Sequence, residues 1–147
     1  MQNTIGEYPL FQRLSDEECS LIESNGEWVR ARNGQTIIAE ERMNKALFIV
    51  VEGSVDVRLL DSTGTNIQLA SDGPGMMIGE YSFIDGLPAA ATAVATTDVG
   101  LFVISHVKFR HILETHDRIG RIVYRNLLEV LVKRLREANA ELDLFSA

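Results

Sequence analysis

From residue 27 to residue 105 the chain alternates short apolar runs with glycine turns, a rhythm that restricts it to an antiparallel sandwich or barrel. The runs at 28–32, 36–39, 46–52, 54–60, 66–70 and 92–105 are rich in β-branched or alternating apolar residues. Asn33-Gly34, Glu52-Gly53, the 61–64 segment and Asp72-Gly73-Pro74-Gly75 supply the turns between them. Leu47 to Val51 is apolar without a break, which predicts a strand buried on both sides inside a closed roll.

Helical signals bracket this block. Ser15-Asp16-Glu17-Glu18 reads as a capping box, in which hydroxyl and carboxylate satisfy the free amides of a helix start. Leu21 and Ile22 give that helix an apolar side, Asn25-Gly26 stops it, and Leu10 and Phe11 suggest a leading turn. Beyond the strands, Ser105 can cap a short helix carrying Phe109, Ile112 and Leu113. Thr115 or Asp117 can cap a longer one reaching about Glu141. The expected organisation is one mainly β domain over 1–147. Helices occupy 1–27, strands 28–105, and two further helices 106–145.

The longer helix carries two apolar stripes. Tyr124, Leu128, Leu131, Leu135, Ala138, Leu142 and Phe145 recur at alternating steps of four and three, a heptad seam suited to a partner helix. Ile122, Val123, Leu127 and Val130 form a second patch confined to the first half. A helix folded onto its own domain needs one stripe, so two predict a homodimer. Arg118, Arg121, Arg125, Lys133, Arg134 and Arg136 face only Glu129 within residues 118–136, although the whole chain carries −7. A basic helix on an acidic body reads as a solvated face, and neither nucleic acid nor membrane is an expected partner. The start has no signal core and Cys19 is the only cysteine, which points to a reducing cytoplasm.

Catalytic and metal chemistry find little support. His106, His111 and His116 are spaced by five, outside the three- or four-residue interval of a helical metal site, and read as surface or core-edge residues. Cys19 follows acidic residues, which disfavour its thiolate. Neither a Walker loop nor a nucleophile elbow is present, so the expectation is a non-enzyme with no metal or cofactor.

Several segments together resemble the cyclic nucleotide-binding domain family across about residues 10–115. Gly34, Ile37 and Glu40 match its first glycine turn and the strand after it. Leu47-Phe48-Ile49-Val50-Val51-Glu52-Gly53-Ser54-Val55 resembles its L-Y-x-V-x-x-G-x-V segment. Asp72-Gly73-Pro74-Gly75 with Gly79-Glu80 resembles its glycine-rich lead-in, and Ala95 and Asp98 its A-x-x-D turn. The resemblance implies a jelly-roll-like β-roll of eight strands between N-terminal helices and two C-terminal helices. It also implies a regulatory function and a cyclic AMP or cyclic GMP ligand. The chain ends at Ala147, without the helix-turn-helix that DNA-binding relatives carry after the long helix.

By position, Gly79 would admit the ligand and Glu80 would accept the ribose hydroxyl. Tyr81 lies in the same turn. The amides of Ser82 and around Ala89 and Ala90 would meet the phosphate, with Ala91 and Thr92 close by. The residue after Pro88 in this family is an arginine that grips the phosphate, and here it is Ala89. A hydrogen bond to a charged group is worth about 1.5–3 kcal/mol, so losing a two-pronged clamp costs roughly 100-fold in affinity or more. The expected function is therefore a sensor module with a degenerate pocket, acting through homodimerisation and an unidentified protein partner. The alternative is a working cyclic-nucleotide receptor in which backbone amides and Glu80 suffice, or in which Arg121 or Arg125 reaches in.

Overall fold

A computed structural model describes residues 5–60 and 63–146; side chains at 60, 66, 67, 70 and 141–146 are not described. Two compact units emerge, one of residues 22–110 and one combining 1–21 with 111–147.

The first unit is the roll. Its strands are β1 (Glu27–Ala31), β2 (Thr36–Ile38), β3 (Ala46–Glu52), β4 (Val55–Leu60), β5 (Asn66–Asp72), β6 (Met77–Ile78), β7 (Thr92–Ala95) and β8 (Val99–Ser105). They make two antiparallel sheets, in the orders β1-β8-β3-β6 and β2-β7-β4-β5. Both sheets feed one apolar interior that includes Val50, Val55, Ile78, Ala93, Val99 and Leu101.

Three strand expectations need correction. The 92–105 run is two strands in different sheets, because the chain crosses over at 96–98. Local side chains take the hydrogen bonds there. The Ser54 amide donates to Thr97 Oγ1 at 3.0 Å, Ser54 Oγ lies 2.7 Å from Thr96 Oγ1, and Asp98 Oδ1 accepts from the Asn33 amide at 2.9 Å. Such local bonds compete with a continuous ladder. Leu47, Ile49 and Val50 are buried, but Phe48 and Val51 are only half-buried. Val50, with Phe48 packed beside it, faces the apolar interior of the roll, while Leu47 and Ile49 are buried on the opposite face of β3. A register shift between Val50 and Glu52 ends the alternation. The two-residue β6 lacks the length to show as a pattern, yet it pairs Ile78 with Phe48 and Met77 with Ile49.

Gly53 sits at the same corner with φ +86°, and an added Cβ would lie 2.3 Å from the Asp98 carbonyl oxygen. Backbone crowding as well as handedness demands glycine there.

The flanking helices are α1 (Asp16–Ser24), α2 (Glu80–Asp85), α3 (His106–Thr115) and α4 (Asp117–Ser146), preceded by 3-10 turns at Ile5–Glu7 and Pro9–Phe11. The capping box is present, with Ser15 N–H to Glu18 Oε1 at 2.8 Å and Glu18 N–H to Ser15 Oγ at 3.1 Å. Ser105 Oγ accepts from the Lys108 amide at 3.1 Å and caps α3. Thr115 does not cap α4, since its hydroxyl donates back to the His111 carbonyl at 2.7 Å. Asp117 is instead the first helical residue, where its charge suits the positive end of the helix dipole. Among the described residues no helix is long and apolar enough to cross a membrane.

In the second unit α4 buries Ile119, Val123, Leu127 and one polar residue, Asn126. Asn126 Nδ2 donates to the carbonyls of Leu10 at 2.9 Å and Gln12 at 2.8 Å, while its Oδ1 accepts from Arg13 at 2.8 Å. Arg118 pairs with Glu18. The opposite face leaves Tyr124, Leu128, Val132 and Leu135 in solvent, with Leu128 at 62% and Leu135 at 63% exposure. Leu131 is half-buried and Ala138 exposed, while the side chains of Leu142 and Phe145 lie outside the described residues. The exposed stripe thus runs through Val132 as well as the expected heptad positions.

Gly53→Ala and Gly64→Ala separate crowding from handedness. Gly64 has φ +83° with nothing within 4 Å of an added Cβ, so Ala there should cost about 1 kcal/mol. Ala at Gly53 should cost about 3 kcal/mol or more. Urea midpoints check the difference; equal losses would mean that the corner tolerates a side chain.

Candidate functional site

The segment between β6 and β7 folds as a helix held between two left-handed glycines. Gly79 (φ 87°) precedes α2 and Gly86 (φ 70°) ends it, the Gly86 amide donating to the Ser82 carbonyl at 2.9 Å. The first intrahelical bond runs from Phe83 N–H to the Gly79 carbonyl at 3.3 Å, so the amides of Glu80, Tyr81 and Ser82 precede the ladder. Amides at such a position carry partial positive charge and suit an anion.

Burial along α2 is one-sided. Glu80 (6% exposed), Ser82 and Phe83 are buried, whereas Tyr81 and Ile84 face solvent. At Gly79, an added Cβ would lie 2.5 Å from both the Ala46 carbonyl oxygen and Asn44 Nδ2. The requirement for glycine thus arises from the protein's own backbone, whether or not a ligand also approaches.

The helix is anchored from behind by α3, which sequence reasoning did not foresee. His106 is buried, so it belongs to the core and not to the surface. Its Nε2 lies 3.2 Å from the Gly79 carbonyl oxygen, and its ring meets Phe83 edge-on at 5.5 Å. Phe109 packs on Phe83 at 5.3 Å. Arg110 donates to the Phe83 carbonyl at 2.7 Å with its guanidinium 5.0 Å above the Phe83 ring, closing the C-terminal end of α2. The only signal in sequence was position: a histidine and an arginine four apart on the helix that follows the last strand. Burial pushes the His106 imidazole below its ordinary pKa, partly opposed by hydrogen bonds to the Gly79 and Ala46 backbone, and Arg110 depresses it further.

The exit of the cassette is held by the 39–42 turn. The Arg42 amide donates to the Ala39 carbonyl at 3.2 Å. Glu41 takes φ +67°, a value that such turns usually reserve for glycine or asparagine. Glu41 N–H donates to the Ala89 carbonyl at 2.9 Å, and Ala89 N–H donates to the Arg42 carbonyl at 2.8 Å. The Glu40 amide donates to Thr92 Oγ1 at 3.0 Å.

These bonds bear on the expected phosphate contacts at one position, Ala89. The Ala89 amide is committed to Arg42, and the Ala89 side chain belongs to the apolar interior with Val50, Ile78 and Ala93. Thr92 Oγ1 likewise accepts from a backbone amide, that of Glu40. Pro88 and Ala90 are exposed and Ala91 is half-buried. The structure thus brings Gly79, Glu80 and Ser82 to one helix start and ties Ala89 and Thr92 to the 39–42 turn. Arg125 pairs with Glu129 at 3.2 Å on its own helix.

Residues 28–116 match the family model described as the cyclic nucleotide-binding domain. The chain belongs to the cyclic nucleotide-binding domain family. It is 33% identical over 138 residues to the cyclic AMP receptor protein of Thermus thermophilus, covering 94% of this chain and 62% of that protein. The solved catabolite activator protein of Thermus thermophilus superposes with a TM-score of 0.81 at 33% identity, over 94% of this chain and 63% of that one. Glutaminase 2 of Bradyrhizobium diazoefficiens is 31% identical over 143 residues, 97% of this chain but 22% of that protein. The chain therefore spans less than two thirds of these curated relatives. Among the described residues no cluster of three or more His, Cys, Asp or Glu could hold a metal ion, and Cys19 is buried.

Burial of His106 predicts a definite pH dependence. A folded-state pKa below the unfolded value means that the unfolded chain takes up the proton first, so stability falls as pH drops below about 6.5. Glu18 acts lower. Its pKa is depressed by the Ser15 amide and also by Arg118, so its contribution is present above the ordinary carboxylate range and lost only below it. Urea midpoints from pH 7.5 to 5 should fall for the parent and flatten in His106→Gln; an unchanged slope would show that His106 does not report on the cassette.

Proposed function

We propose that this domain is a non-catalytic regulatory module whose phosphate cassette is degenerate. It binds cyclic AMP and cyclic GMP weakly or not at all, and acts as a homodimer through α4 on a protein partner. The observation that carries this reading is Ala89. Where the family resemblance expects a guanidinium facing the phosphate, the chain has a methyl group packed into the roll interior and an amide already bonded to Arg42. Glu80 is retained at the start of α2, so negative charge remains in the pocket without the family's cation to offset it. An anionic ligand then faces a carboxylate with no guanidinium on the cassette segment itself.

The exposed row of Tyr124, Leu128, Val132 and Leu135 supports dimerisation, because α4 already uses its other face within its own unit. The pairing of Arg118 with Glu18 and Arg125 with Glu129 reduces the free positive charge of that helix, which favours a protein contact over nucleic acid. The name of the Thermus relative favours a second reading, a working cyclic-nucleotide receptor relying on the α2 amides and Glu80.

Thermal melts decide between the two. At about 1 mM cyclic AMP or cyclic GMP the melting temperature should barely move, whereas a gain near 2.7 kcal/mol would correspond to a dissociation constant of about 10 μM and establish the receptor. Ala89→Arg should tighten binding by roughly 100-fold. Unchanged affinity in that variant would remove the clamp argument.

Dimerisation is checked by sedimentation. The parent should run as a dimer and a Leu128→Glu, Leu135→Glu double variant as a monomer with an intact circular dichroism spectrum. A variant as heavy as the parent would exclude this stripe as the contact.

A further inference from the structure

The 39–42 turn does more than tie down the cassette exit: it sets an arginine against the residue that lacks one. Glu41 N–H to the Ala89 carbonyl and Ala89 N–H to the Arg42 carbonyl are the two bonds of a bulge, in which Glu41 and Arg42 together oppose Ala89. The first bulge position normally takes glycine in the left-handed region, and here Glu41 occupies it at φ +67°. Bulges next to binding sites redirect side chains, and strain of this kind persists only where the surroundings over-determine it.

Arg42 is exposed. Among the described residues its guanidinium has neither ion pair nor hydrogen bond, as is also true of Arg32, Arg121 and Arg136, but of these four only Arg42 has its backbone bonded to the cassette exit. One peptide hydrogen bond separates its backbone from that of Ala89, well within the span of an arginine side chain.

We infer that Arg42 supplies the cation for a phosphate-bearing ligand at this cassette, in place of the arginine absent from position 89. The inference rests on the reading of the pocket as a degenerate phosphate cassette and accounts for whatever affinity remains. A guanidinium can fork onto two phosphate oxygens from a neighbouring strand as it can from the cassette itself. Glu40 and Glu41 directly precede Arg42 in the same turn and oppose the anion. The site is therefore weak, and because Arg42 is in solvent it is also sensitive to salt.

Isothermal titration of the full chain with cyclic AMP, and separately with inorganic phosphate, tests this. The variants are Arg42→Gln, Arg42→Lys and, as a control for general charge on the same loop, Lys45→Gln. Arg42→Gln should weaken binding by about 10-fold or more, Arg42→Lys should retain part of it, and Lys45→Gln should stay within about 2-fold of the parent. Unliganded melting temperatures should agree across all four proteins, since both positions are exposed. Arg42-dependent binding of phosphate but not of cyclic AMP would identify free phosphate as the ligand.

Equal losses in Arg42→Gln and Lys45→Gln, or an unchanged Arg42→Gln, would overturn the inference while leaving the weak pocket intact. Absence of any binding at about 10 mM ligand would overturn it too, in favour of a cassette that holds no anion. Tight binding lost in Arg42→Gln would support Arg42 and defeat the degenerate reading instead.

Discussion

The corner at Gly53 and Asp98 is the constraint on which the roll depends. Two chain segments, 52–54 and 96–98, cross there from one sheet to the other. An added Cβ at Gly53 would meet the Asp98 carbonyl oxygen at 2.3 Å, so the two backbones run in near contact. Serine and threonine hydroxyls satisfy groups that the sheets can no longer pair. Closing the roll there places β7 beside β2 and β4. The cassette exit leads directly into β7, so its position follows from that pairing.

Around this frame the cassette is more strongly supported than its chemistry requires. His106 and Arg110 hold the two ends of α2 from behind, through the carbonyls of Gly79 and Phe83. The 39–42 turn holds the exit through three hydrogen bonds to Ala89 and Thr92. A helix of six residues has little stability of its own, so this external bonding sets its position. The family fold is thus kept, with alanine at position 89.

The long helix shows a related division of labour. One face carries Ile119, Val123, Leu127 and the satisfied amide of Asn126, which fixes the N-terminal turn through the Leu10 and Gln12 carbonyls. A buried amide with its donors and acceptor met specifies one arrangement where apolar packing alone would tolerate several. The other face is apolar and exposed, and the energetic pressure to cover it is what a second subunit would relieve.

The linear order of residues determined the roll, the capping box at Ser15 and the two-faced helix, because each is written in local chemistry. Alternation, glycine turns, Ser15 with Glu18, and apolar residues at helical spacing need no knowledge of distant neighbours. The segment from Gly79 to Ala89 could be matched to the family for the same reason, since its motif is contiguous. Tertiary structure alone decided that 92–105 breaks between two sheets, that the Ala89 amide is spent on Arg42, and that His106 and Arg110 brace α2. Those outcomes depend on atoms separated by tens of residues, and no periodicity records which backbone will arrive opposite which. Arg42 illustrates the difference: in sequence it is one charge in an acidic loop, and only the folded chain sets its backbone opposite that of Ala89.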